Sequence, residues 1–117
     1  MTDHLSIANA YLALWNEAED VNRTRMLSES WATDARYADP LMQGEGPDGI
    51  SAMIRAARSR FPGHRFELSG TPDGHGLFVR FAWDLVSPED VTIARGMDVV
   101  WLDDAGRVRE VIGFLER

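Results

Sequence analysis

Tyr11 and Asp98 stand where the surrounding pattern is otherwise apolar, and Asp39 closes an alternating segment. Tyr11 falls three residues after Ala8 and four after Ile7, on a stripe with Leu5, Ala8, Leu12 and Trp15 that recurs at helical spacing. Asp98 sits inside the apolar run from Val91 to Leu102, with Gly96 and Val100 two residues away on its own face. A carboxylate so placed is paired, protonated or kept for chemistry, because burying a lone charge is costly. Asp39 ends the alternating segment Ala35-Arg36-Tyr37-Ala38-Asp39 just before Pro40. There it reads equally as a turn or capping residue and as a functional carboxyl. Carboxyls and a phenol are groups that hold and pass protons.

Other chemistries are closed by composition. Cys is 0, which removes thiol nucleophiles, thiolate metal sites, disulfides and iron–sulfur clusters. Every basic side chain apart from the histidines is Arg, so a lysine Schiff base or lysine-anchored pyridoxal phosphate is excluded. Nineteen acids against twelve bases leave a formal net charge of -7, which offers no basic footprint for nucleic acid or for an anionic membrane surface. Met1-Thr2-Asp3-His4 has no basic stretch leading into an apolar run, and no run approaches the ~20 apolar residues of a membrane span. These features predict a soluble, cytoplasmic protein. The 117 residues suit one domain spanning 1–117, and 44% hydrophobic content can fill its core.

The elements that must position the three residues follow from periodicity. The first half reads helical, from Asp3 to about Glu19, with Thr2 or Asp3 as cap. A short second helix starts at Asn22 and turns Met26, Leu27 and Trp31 inward. Gly46-Pro47 opens a third, Pro taking the first turn where its missing N–H costs nothing. Its inner stripe is Ile50, Met53, Ile54, Ala57 and Phe61, and Pro62-Gly63 ends it. The second half reads as strands: Arg65–Ser69, Leu77–Leu85, Val91–Leu102 and Val108–Leu115, with turns at Gly70–Gly76, Ser87–Asp90 and Asp103–Gly106. Helices first and a meander afterwards is an α+β layout, the helices covering one sheet face.

Alternation assigns faces to the strands. Leu77, Val79, Phe81 and Trp83 share one face; Gly96, Asp98, Val100 and Leu102 share one on the next strand, with Met97, Val99 and Trp101 opposite. Both faces of that strand are largely apolar, and the one turned from the helices needs cover too. A second copy of the chain is the simplest cover, predicting a homodimer through Met97, Val99 and Trp101. A strand or long loop of the same monomer is the alternative.

The remaining motifs have plainer explanations. Gly44-Glu45-Gly46-Pro47-Asp48-Gly49 matches the dinucleotide pattern in letters, but its two acids would face the pyrophosphate and no βαβ series follows. His4, His64 and His75 have no ligand spacing on one element, so no metal site is expected. Ser51, Ser59 and Ser87 lack a nucleophile-elbow context. Arg55, Arg58, Arg60 and Arg65 cluster where the third helix ends, as its dipole favours.

From Tyr11 onward nearly the whole chain resembles the SnoaL-like and ketosteroid isomerase-like branch of the nuclear transport factor 2 superfamily. The resemblance is carried by Tyr11–Asn16, Trp31-Ala32-Thr33-Asp34-Ala35-Arg36-Tyr37-Ala38-Asp39-Pro40, the Gly46-Pro47 helix start, Gly96-Met97-Asp98-Val99, Asp103-Asp104-Ala105-Gly106-Arg107-Val108 and Gly113-Phe114-Leu115. It implies a conical α+β barrel, three N-terminal helices packed on a curved mixed, mostly antiparallel sheet around an apolar pocket, and it implies dimers through the outer sheet face.

The resemblance also implies roles. Asp39 matches the general base of the ketosteroid isomerases, and Tyr11 with a protonated Asp98 matches their oxyanion hole. Proton removal next to a carbonyl needs a base within reach and donors aimed at the developing enolate oxygen. Trp15, Val79, Phe81, Trp83 and Val100 would line a pocket for a small hydrophobic molecule, with no cofactor and no metal. The stretch from Asn16 to Trp31 and the hairpin at Pro88 are longer than in those isomerases, which implies a different pocket mouth. Asp98 could instead serve as the acid/base of a polyketide cyclase-like ring closure. Gly96 stands where an epoxide hydrolase of this superfamily has Arg, and no His is placed for dehydratase chemistry. The alternative from another class is a non-catalytic module that binds a small hydrophobic ligand or mediates dimeric interaction. In it, Asp39 is a turn residue and Asp98 a structural acid.

Overall fold

The structure, a computed structural model, describes residues 3–116. Asp3 caps α1 (His4–Asn16), its carboxylate accepting from the Ser6 backbone N–H at 3.2 Å and the Ser6 hydroxyl at 2.9 Å. Thr2, the other expected cap, lies outside the described residues. The helix buries Ala8, Tyr11, Leu12, Leu14 and Trp15. It stops at Asn16 rather than near Glu19 because the Asn16 amide pairs with strand backbone: Nδ2 donates to the Phe66 carbonyl at 2.9 Å, and Oδ1 accepts the Phe66 N–H at 2.7 Å.

Helix α2 (Asp20–Ser30) begins two residues before the expected Asn22, with Asp20 in the first turn where the dipole favours an anion. Its Arg23 is almost wholly buried. The guanidinium pairs with Asp20 and donates to the Glu17 carbonyl at 2.7 Å and to Ser51 Oγ at 3.2 Å, fastening α2 to α3. Strand β1 (Trp31–Ala38) follows directly, so Trp31 is a strand residue rather than the inner end of α2. Strand β2 (Gln43–Glu45), three residues and too short to alternate, pairs antiparallel with β1. Helix α3 (Gly46–Arg60) carries Pro47 in its first turn and buries Ile50, Met53, Ile54 and Ala57 as its stripe predicts. Phe61 lies past the helix and is exposed, so the expected inner stripe ends one residue early.

The sheet is completed by β3 (Arg65–His75), β4 (Phe78–Val86), β5 (Thr92–Leu102) and β6 (Val108–Leu115). The expected Gly70–Gly76 turn is mostly strand. Pairing with β4 is interrupted between Ser69 and Asp73, where Gly70 adopts φ +73°, and then resumes to His75. A Cβ on Gly74 would meet the Phe78 carbonyl oxygen at 2.2 Å, so this glycine allows close strand approach. The signals of a loop are those of a bulge and a tight backbone contact.

Strand order is β2-β1-β6-β5-β4-β3, with β1 and β6 parallel and every other neighbour antiparallel. The sheet is therefore mixed and mostly antiparallel, and it does not close on itself. The three helices complete a cone-like α+β fold over its inner face. That face supplies Val79, Phe81, Trp83, Leu85, Val100 and Val111 to the core. On the outer face Phe78, Met97, Ile112 and Phe114 are exposed, Trp101 stacks on Phe78 at 5.6 Å between ring centroids, and the Arg109 guanidinium lies 4.0 Å above the Trp101 ring. Among the described residues no helix is long and apolar enough to cross a membrane.

Candidate active site

Strand register brings the distant carboxyls together. Parallel pairing sets Tyr37 beside Val111 and Ala38 beside Ile112, so Asp39 leaves β1 next to Gly113. Antiparallel pairing sets Gly113 opposite Asp98. A Cβ on Gly113 would lie 2.7 Å from Asp98 Oδ1, 3.0 Å from Asp39 Cβ and 3.4 Å from the Tyr37 hydroxyl. Glycine is the residue that leaves room for all three.

Asp39 is a turn residue that also lines a cavity. Its Oδ1 accepts the backbone N–H groups of Leu41 at 2.7 Å and Met42 at 2.9 Å, while its own N–H donates to the Met42 carbonyl at 3.0 Å. This turn follows from Pro40, which holds Asp39 extended and reverses the chain into β2. The other oxygen, Oδ2, accepts the Tyr37 hydroxyl at 2.5 Å. Asp39 is half-buried, whereas Tyr37 is buried. Burial, with the charges of Asp98 and Asp39 nearby, pushes the Tyr37 phenol well above its ordinary range, so it stays a donor.

Asp98 is 2% exposed. Burial pushes its carboxyl up from 3.8 to about 6; the charge of Asp39 adds to this, and the neighbouring Tyr11 and Trp83 side chains oppose it. Tyr11, also buried, is held neutral mainly by desolvation and next by the Asp98 charge. The Tyr11 hydroxyl, the Trp15 indole nitrogen and Asp98 Oδ1 are buried without a hydrogen-bond partner. Such groups are uncommon in folded proteins, and a water, a ligand or a reacting atom can complete them.

Tyr11, Trp15, Tyr37, Asp39, Trp83 and Asp98 all line one cavity of about 130 Å³. Leu41 and Phe61, exposed at its rim, belong to the loops after β1 and α3. Val79, Phe81 and Val100, expected on the pocket wall, do not line it; they are packed in the core. Alternation assigns a residue to the inner face without saying how far along the strand the hollow extends, and these three fill its closed part. Tyr37 is the functional candidate that sequence reasoning passed over. The signal was present, since Tyr37 is two residues before Asp39 on an alternating segment and so shares its face.

The arrangement is suited to proton transfer: a carboxyl fixed by three hydrogen bonds, a phenol held neutral, and a second carboxyl beside it that becomes a donor when protonated. Among the described residues no group of three or more His, Asp or Glu is placed to hold a metal ion.

Comparison with known proteins agrees with this architecture. Residues 8–111 match the SnoaL-like domain model. The chain is 56% identical, at TM-score 0.96 and with full coverage of both chains, to a candidate isomerase of the SnoaL-like family from Agrobacterium tumefaciens strain C58. A SnoaL-like protein of unknown function from Burkholderia thailandensis superposes at TM-score 0.75 with 12% identity, over 100% of this chain and 99% of that one. A candidate polyketide cyclase from Sinorhizobium meliloti superposes at 0.71 with 18% identity, over 96% and 99% of the two chains. These last two likenesses concern the fold alone. No curated protein matches the chain. With most of its length matched by the domain model, the chain belongs to the SnoaL-like family.

Proposed function

We propose that this protein is a cofactor-independent enzyme that moves a proton next to the carbonyl of a small hydrophobic substrate, as an isomerase or a cyclase does. The observation that carries the reading is that Asp39, Tyr11 and Asp98 line one cavity, the Tyr11 hydroxyl lying beside the Asp98 carboxyl. Asp39 Oδ2 takes a proton from the carbon beside the carbonyl, and the electron pair moves onto the carbonyl oxygen as an enolate. Tyr11 and protonated Asp98 donate hydrogen bonds to that oxygen, where charge develops. In an isomerisation Asp39 then returns the proton to the far carbon of the conjugated system, so base and donors end as they began. Tyr37 holds Asp39 in place for both transfers. The candidate isomerase at 56% identity lends weight to isomerisation over ring closure.

One observation favours a second reading. Both Asp39 oxygens already accept hydrogen bonds, Oδ1 in a turn and Oδ2 from Tyr37, as they would in a non-catalytic binding module. An ultraviolet assay for conjugation of β,γ-unsaturated ketones separates the two. The enzyme reading expects turnover that falls ~10²–10³-fold in Asp98→Ala. Binding without turnover across a series of such ketones favours the module.

A further inference from the structure

Size and an unused donor narrow what the cavity accepts, an inference that rests on the proton-transfer reading only for what happens after binding. The cavity measures about 130 Å³. Pockets for drug-sized ligands span roughly 300–1,000 Å³, whereas a cavity of about 150 Å³ holds benzene. Its walls resist enlargement, because they are aromatic groups braced on one another. Trp15 meets Phe66 at 5.4 Å between centroids, Phe66 meets Trp83 at 5.3 Å, and Tyr11 stacks on Trp31 at 6.1 Å.

Polarity says which part of the ligand goes where. The Trp15 indole N–H is a donor only, is nine-tenths or more buried, and has no partner. Trp15 follows Tyr11 by one helical turn on α1, with ring centroids 6.5 Å apart, and both side chains line the cavity, Tyr11 interacting with Trp15 on one side and Asp98 on the other. The wall is otherwise almost wholly apolar and, among the described residues, holds no cation, so it offers nothing to pair with a ligand that carries negative charge. We propose that the occupant is a neutral, single-ring carbonyl compound or one of similar bulk, and that the Trp15 N–H joins Tyr11 in donating to its oxygen.

The test compares binding of phenol, toluene and a tetracyclic steroid phenol to the full chain by calorimetry, in the wild type and in Trp15→Phe. Phenol should bind one to one, and the steroid phenol at least tenfold more weakly. Trp15→Phe should weaken phenol ~3–10-fold, as expected for one neutral hydrogen bond, and leave toluene unchanged. The assigned Trp15 indole proton in wild type, read by NMR, should shift downfield with phenol and not with toluene, which keeps the donor role testable if the variant unfolds. A steroid phenol bound as tightly as phenol overturns the size limit. Equal loss of phenol and toluene, an unmoved indole proton, or no binding of phenol overturns the donor assignment. Cyclohex-3-enone assayed beside a steroid β,γ-enone separates the two levels. Binding as described with neither enone converted removes the proton-transfer reading and leaves the occupant's class standing. Conversion of the steroid enone alone does the reverse.

Discussion

Tyr37 donates its phenolic hydrogen to Asp39 Oδ2 at 2.5 Å, two residues along the same strand end. With the Leu41 and Met42 N–H groups on Oδ1, this bond fixes the plane of the carboxyl and leaves little freedom in which side it presents to the cavity. Orientation of this kind contributes to rate through positioning, and a small misplacement is expensive.

Tyr37→Phe removes that bond while keeping the ring against Trp15, whose centroid is 5.5 Å away. Turnover of a β,γ-enone should fall about tenfold in kcat with KM nearly unchanged. A KM effect without a kcat effect would make Tyr37 a wall residue only.

Asp98 ties stability to pH, and the sign follows from the direction of its shift. Its carboxyl titrates near 6 in the folded chain against 3.8 as the ordinary value, so the folded state holds the proton more tightly. The resulting stabilisation is fully present below about pH 4 and is lost as pH rises through about 6, amounting to ~3 kcal/mol. Asp98→Asn should remove this dependence, so that its Tm exceeds that of wild type at pH 8, as thermal melts across pH 4–8 would record. The same titration governs the proposed donor: kcat/KM should decline above about pH 6 in wild type.

Gly113 holds the two carboxyls apart from backbone. Gly113→Ala would place its Cβ 2.7 Å from Asp98 Oδ1 and 3.0 Å from Asp39 Cβ, so the Asp98 carboxyl must rotate and the turn that carries Asp39 must shift. Overpacking of this kind costs ~1–3 kcal/mol, and displacement of Asp39 should lower turnover more than tenfold. Denaturant melts together with kinetics read both effects.

We further propose that a second copy of the chain covers the outer sheet face, where Met97 is 40% and Phe114 55% exposed around the half-buried Val99 and Trp101. Sedimentation should return a dimer for wild type and a monomer for Phe114→Glu. A wild-type monomer would refute the assignment.

The parts of the fold legible in sequence are those governed by one period over many residues. The stripe Ile50, Met53, Ile54, Ala57 and the alternation through Val79, Phe81 and Trp83 both place residues where the structure has them buried. Tyr11 and Asp98 are legible as polar residues in apolar company, and the approach of Asp39 to Asp98 depends on the β1–β6–β5 register, which no local pattern encodes. Gly70 and Gly74 mislead because the same residue serves a turn, a bulge and a close strand contact. Val79, Phe81 and Val100 mislead because facing inward is not the same as facing the hollow.

In the proposed reaction Asp39 carries the proton. Asp39→Asn keeps the shape of the side chain and its turn acceptor for Leu41 and Met42 while removing the base. The most direct measurement pairs cyclohex-3-enone turnover with phenol binding in this one variant. Asp39→Asn should lose ~10²–10⁴-fold in kcat while phenol affinity stays within a few-fold of wild type. Unchanged turnover in Asp39→Asn would contradict this role.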